Sequence, residues 1–274
     1  MLNSLDHPGV SLGKSELLKK VVIALALCAT LSACKVTAHG NKSQNNGGTV
    51  TNPTQPPTTT PDPTSPPPVV VTPPSTSRVL ASEGDSISVT WGGNYTGVYA
   101  QLRKSAVTHC GLAVGGSTLD SMAARSGGVT TCNPGVLTVL IGANDLANVT
   151  ANPTTQAWLN KLWAYTDGFR AKGIKVAVGT ILPQYSASNP TYNVTFNTRR
   201  AEANKAIRAS VGTHVDAVID FAADPVMGPD SAAQDLNLYK DGIHPTDACG
   251  LGCGGQGKLA SVYAPVVDRL FGIQ

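Results

Sequence analysis

Charge of one sign is scarce in this sequence. Its 20 Lys and Arg face 17 Asp and Glu, a net charge of +3. That excess is too slight to suggest a nucleic-acid partner. Long apolar runs are scarce too, and nothing after Cys34 is long and apolar enough to cross a bilayer. Metal-ligand spacing is also missing. The cysteines fit no common zinc finger or ribbon, and no nearby histidine completes a set. Neither a metal nor another cofactor is therefore expected.

What is present begins with an address. Lys14, Lys19 and Lys20 precede the apolar stretch Val21 to Leu31, which is too short to span a membrane easily. Leu31-Ser32-Ala33-Cys34 follows and resembles the lipobox of bacterial lipoproteins. The resemblance implies cleavage before Cys34, acylation of its thiol, and a protein anchored by lipid to the bacterial cell envelope. Lys35 rather than Asp in the next position implies the outer membrane if the envelope is Gram-negative. An ordinary secretory signal with an incidental cysteine is the rival reading. Residues 1–34 are thus expected to be a lipoprotein-type signal peptide, which takes His7 with it.

Residues 35–77 are rich in Pro and Thr, as in Pro66-Pro67-Pro68, and include His39. Such a segment buries too little apolar surface to offset its ordering entropy. Its prolines favour extended polyproline II, so it reads as a disordered, semi-stiff spacer. It either lifts the remaining chain away from a membrane or merely connects. Residues 78–274 are left as one domain of ordinary size.

Cys28 leaves with the signal and Cys34 carries lipid, so four cysteines remain in that domain. An even number in an oxidising compartment points to disulfides. Three pairings are open. Cys110 with Cys132 and Cys249 with Cys253 is favoured, the second closing a small glycine-rich loop.

Short apolar runs alternate with amphipathic stretches across the domain. Strands are expected at Arg78–Ser82, Gly111–Val114, Val136–Ile141, Ile174–Ile181 and His214–Asp220, the first running into Glu83-Gly84-Asp85. Their continuous apolar character suits parallel strands covered on both faces. Trp158, Leu162, Tyr165 and Phe169 recur at helical spacing within Thr154–Lys172. Further helices are expected at Phe196–Ser210 and Gly255–Phe271. Alternation of this kind predicts a doubly wound α/β sheet. Reacting groups in such a sheet gather beyond the carboxyl ends of the strands.

Four polar blocks fall at those ends: Gly84-Asp85-Ser86-Ile87-Ser88, Gly115-Gly116-Ser117-Thr118, Gly142-Ala143-Asn144-Asp145 and Asp241-Gly242-Ile243-His244-Pro245. In order and spacing they resemble the SGNH, or GDSL-type, hydrolase family. The resemblance spans residues 78–274. It implies a flavodoxin-like three-layer α/β/α sandwich, here with a five-stranded parallel sheet, and ester hydrolysis through an acyl-enzyme. An α/β-hydrolase is rejected, because Ser86 lacks the second glycine of a G-x-S-x-G elbow.

The chemistry agrees with the roles carried over. A serine hydroxyl needs a base, so Ser86 is the candidate nucleophile and His244 its base. Asp241 would orient the imidazole and stabilise its charged form. The N–H groups of Ser86 and Gly116 and the side-chain amide of Asn144 would form the oxyanion hole. Gly115 stays open as the alternative to Gly116. Asp85 and Asp145 are read as structural, and His109 and His214 as structural or solvated.

The expected substrate is a small-molecule or glycan ester, with deacetylation of polysaccharide leading. The alternatives are an acyltransferase modifying envelope glycans, a lipase or lysophospholipase, and a non-catalytic surface binding module. Two loops, Trp91–Asn94 and Pro183–Thr195, are expected to wall the pocket, and Gln184–Thr195 is a candidate cover for it.

Overall fold

The computed structural model of the protein describes residues 75–89 and 93–274. The expected signal peptide, Cys34, nearly all of the expected spacer and Trp91 lie outside the described residues. Five strands form one sheet: β1 (Val79–Gly84), β2 (Thr108–Gly111), β3 (Val136–Leu140), β4 (Lys175–Gly179) and β5 (Ala217–Ile219). All pairings are parallel, in the spatial order β2-β1-β3-β4-β5. This is the flavodoxin-like doubly wound order, with its switch point between β1 and β3. The expected fold class and strand number are both found.

Helices cover both faces. α1 (Tyr95–Leu102) and α7 (Gly254–Phe271) lie on one, and α5 (Thr155–Arg170) and α6 (Pro190–Ala209) on the other. Short helices α2 (Leu119–Ala123), α3 (Gly127–Cys132) and α4 (Ala143–Ala147) follow β2 and β3. Successive strand residues point to opposite faces. Leu80, Val136 and Ala177 therefore pack with Tyr95, Tyr99 and Tyr263. Ala81, Leu137, Val176 and Val178 pack with Trp158, Leu162 and Phe169. Burial on both sides is the reason these strands read as unbroken apolar runs.

The departures from expectation have local causes. β2 occupies Thr108–Gly111 rather than Gly111–Val114. It is an edge strand of exposed and half-buried residues, so hydropathy does not mark it. β5 is shorter than expected, with three residues. α6 starts at Pro190, six residues before the expected Phe196. Proline suits the first helical position, and Asn189 caps the helix by accepting from Tyr192 N–H at 2.9 Å. Half of the candidate cover is therefore helix. The cysteines pair as favoured, Cys110–Cys132 at a Cα separation of 6.4 Å and Cys249–Cys253 at 5.2 Å. No helix among the described residues is long and apolar enough to cross a membrane.

Candidate active site

β1 delivers Ser86. A side chain at Gly84, where φ is +154°, would place its Cβ 2.3 Å from the carbonyl oxygen of Leu140. Only glycine lets β1 stay pressed against β3 while the chain begins to turn. Ser88 N–H closes that turn on Asp85 O at 3.0 Å, and Ile87 N–H donates to Asp85 Oδ1 at 3.0 Å. The Ser88 hydroxyl meets Tyr95 OH at 2.7 Å. Ser86 is thus held at the carboxyl end of the sheet beside the switch point.

The loop before α7 brings His244 to it, 158 residues on in sequence. Ser86 Oγ lies 2.7 Å from His244 Nε2, and His244 Nδ1 lies 2.7 Å from Asp241 Oδ2. With the proton on Nδ1 donated to Asp241, Nε2 is left to accept from the serine. Asp241 Oδ1 accepts from His244 N–H at 2.7 Å and Ile243 N–H at 3.0 Å, which fixes the loop's shape. Partial burial draws the Asp241 carboxyl upward, but the bonds from His244 and Ile243 outweigh it and hold it below its ordinary value. Asp241 therefore stays ionised opposite the imidazole.

Among the described residues, no protein acceptor takes the N–H of Ser86, Gly115 or Gly116. Gly116 sits at φ +74° with open space around it. Gly115 borders the same pocket as Ser86, and a Cβ on it would lie 3.9 Å from Ser86 Cβ. Asn144 Nδ2 donates to Ser117 O at 2.9 Å. That bond orients the amide and leaves its second hydrogen available.

The neighbouring acids hold loops. Asp145 accepts from Leu119 N–H through both oxygens, at 3.0 and 3.1 Å, tying α4 to the start of α2. Burial pushes Asp145 up to about 6 and the fully enclosed Asp85 up to about 7. The other two described histidines, His109 and His214, lie away from the pocket. His109, in edge strand β2, contacts Ser82 Oγ of β1 through Nε2 at 3.0 Å, and burial lowers its pKa. His214 pairs with Asp167 at 2.9 Å and stacks on Trp163. Neither borders the pocket of Ser86 and His244, and the carboxylate beside His214 was not visible in its sequence spacing.

Ser86 and His244 open into a pocket of about 540 Å³, walled by Val89, Ala113, Val114 and Pro245. Asn94 borders it, in line with the expected Trp91–Asn94 wall, but no residue of Pro183–Thr195 does. Sequence reading missed Gln256. Its Oε1 accepts from Tyr95 N–H and its Nε2 donates to Ile87 O, each at 3.0 Å, while its backbone N–H donates to Thr246 O at 2.9 Å. One residue thus links the Ser86 turn to the His244 loop. Its only signal was a lone amide within Gly254-Gly255-Gln256-Gly257. Among the described residues, no group of His, Cys, Asp and Glu is arranged to hold a metal ion.

Fold and geometry together define a hydrolase built on a flavodoxin-like sheet. Residues 84–249 match the GDSL-like lipase/acylhydrolase family, and the chain belongs to that family of ester-cleaving enzymes. It is similar to a Bacteroides fragilis protein provisionally described as an acylhydrolase, at 19% identity over 74% of this chain and 91% of that one, with a TM-score of 0.55. A GDSL-like lipase from Bacteroides thetaiotaomicron is 17% identical over 71% and 88%, with a TM-score of 0.55. The lipase/acylhydrolase from Enterococcus faecalis is 19% identical over 71% and 96%, with a TM-score of 0.53. At these identities the likeness is one of fold. No curated protein matches the chain.

Proposed function

We propose that the protein is a serine esterase that hydrolyses carboxylic esters through an acyl-enzyme on Ser86. Ser86 Oγ attacks the carbonyl carbon as His244 Nε2 takes its proton. The tetrahedral oxyanion is met by the N–H groups of Ser86 and Gly116 and by the Asn144 amide. Collapse breaks the C–O bond, and His244 returns the proton to the departing alcohol. Water then repeats the cycle, releasing the acid. Asp241 holds the imidazole in the required tautomer throughout. The observation that carries this reading is the continuous chain from Ser86 Oγ to His244 to Asp241, 2.7 Å at each step.

Small acyl esters, with acetylated polysaccharide foremost, are the proposed substrates. A lipase reading calls for a cover over the pocket. The segment that would supply one, Gln184–Thr195, instead runs into α6 and does not border the pocket. We further propose that the enzyme is exported and anchored to the cell envelope through Cys34. The lipobox-like run Leu31–Cys34 and the Pro/Thr-rich stretch after it support this. Such a placement would present the enzyme to glycans.

Hydrolysis of p-nitrophenyl acetate by the full chain tests the chemistry. The Ser86→Ala variant is expected to lose about 10⁴-fold or more in kcat. Equal rates for the two proteins would contradict the reading.

A further inference from the structure

Helix α6 carries asparagine where a helix interior disfavours it. Asn193, Asn197 and Asn204 lie four and seven residues apart, so they share one face. Asparagine is a weak helix former because its amide competes for backbone groups. Here each amide grips one residue of the segment that follows β4. Asn204 accepts from Ile181 N–H at 2.7 Å and donates to Ile181 O at 2.9 Å. Asn197 accepts from Gln184 N–H at 3.5 Å and donates to Gln184 O at 3.0 Å. Asn193 accepts from Ser186 N–H at 2.7 Å and donates to Ser186 O at 2.9 Å. The three supply the ladder a neighbouring strand would give, and residues 181–186 are fixed without one.

Between the last two rungs sits Tyr185. Its N–H donates to Gly242 O at 2.9 Å. Gly242 stands between Asp241 and His244, with φ at +80°, and a Cβ there would fall 2.3 Å from Tyr185 O. The two backbones touch directly. Among the described residues, this is the one backbone hydrogen bond reaching residues 241–243 from outside their own loop. The Asp241 side chain is itself half-exposed.

We propose that Asn193 and Asn197 are positioning residues for the acid–base loop. They act through Tyr185 and Gly242 to hold Asp241 and His244 against Ser86. The inference rests on the reading of Ser86, His244 and Asp241 as a catalytic triad. Neither asparagine borders the pocket that Ser86 and His244 share, so binding and positioning are separable. Both are half-buried, and alanine is the better helix former, so their replacement leaves α6 intact.

A double-mutant cycle on the full chain tests this, with N193A/N197A introduced into the wild type and into D241N and p-nitrophenyl acetate as substrate. In the wild type, the asparagine pair is expected to lose about tenfold to a hundredfold in kcat, with KM within about twofold. In D241N, where the carboxylate no longer aligns the ring, the same pair should lose less than about threefold further. Equal losses in the two backgrounds, or no loss in the wild type, would overturn the proposal. If N193A/N197A fails to fold, N193A alone supplies the same comparison. Wild-type turnover in S86A or D241N would bring down the triad reading and this inference with it. A wild-type dependence on Ser86 and Asp241 together with equal losses would remove the positioning claim alone.

Discussion

A serine hydroxyl becomes a nucleophile only where a base, an orienting acid and oxyanion donors converge. Ser86 meets the first two through contacts of 2.7 Å, and Asn144 is the clearest test of the third. Asn144→Ala is expected to lower kcat about a hundredfold with a smaller effect on KM, checked by steady-state kinetics on p-nitrophenyl acetate. Asp85 makes a different prediction. Its enclosed carboxyl is raised to about 7 from an ordinary value of 3.8, so the folded state holds its proton more tightly than the unfolded chain. Its contribution to stability is therefore complete at low pH and is lost as pH rises through about 4 to 7. Asp85→Asn removes that loss. Its melting temperature should exceed that of the wild type at pH 8, by an amount worth roughly a few kcal/mol, and the gain should shrink towards pH 4. A pH-independent difference in thermal unfolding would contradict this. At the residue scale, Ser86, Asp241 and His244 could be picked out because their blocks resemble those of the SGNH family, and the structure brings the three into contact. The Asp167 partner of His214 could not be, because 47 residues and a tertiary fold separate the pair.

Elements explain how these residues meet. β1 presents Ser86, and the first turn of α7 ties its turn to the loop of His244 through Gln256. The free N–H groups of that helix end are also put to use, since Gly255 N–H donates to Thr246 Oγ1 at 2.8 Å and Gln256 N–H to Thr246 O. Gln256→Leu strands a buried donor at Tyr95 and a buried acceptor at Ile87, at roughly 1–3 kcal/mol for each. Urea unfolding should show that loss together with a lower kcat. Unchanged stability and turnover would show that the link is dispensable. The central strands could be read from the sequence because burial on both faces leaves them apolar throughout. β2 escaped because Thr108, His109 and Cys110 lie at a half-exposed edge. The start of α6 escaped for a similar reason. Residues 190–195 carry no apolar stripe, and the helix there rests on its proline and its asparagine cap.

At the scale of the whole molecule, strand alternation predicted a doubly wound sheet and the resemblance to the SGNH family implied its flavodoxin-like form, while the pairing favoured among three for the four cysteines is the one found. The anchoring proposal belongs to this scale. Cys34→Ser is expected to move the enzyme from the membrane fraction to the soluble one in a bacterial host, followed by activity in the two fractions. An unchanged distribution would contradict a lipid anchor at Cys34. Activation of Ser86 by His244 in the folded enzyme underlies the whole proposed function. The most direct measurement is the rate at which a fluorophosphonate phosphonylates the protein, with the adduct located by mass spectrometry. One adduct is expected, on Ser86, formed at least about a hundredfold more slowly in His244→Ala. Labelling that spares Ser86, or that proceeds equally fast without the imidazole, would contradict it.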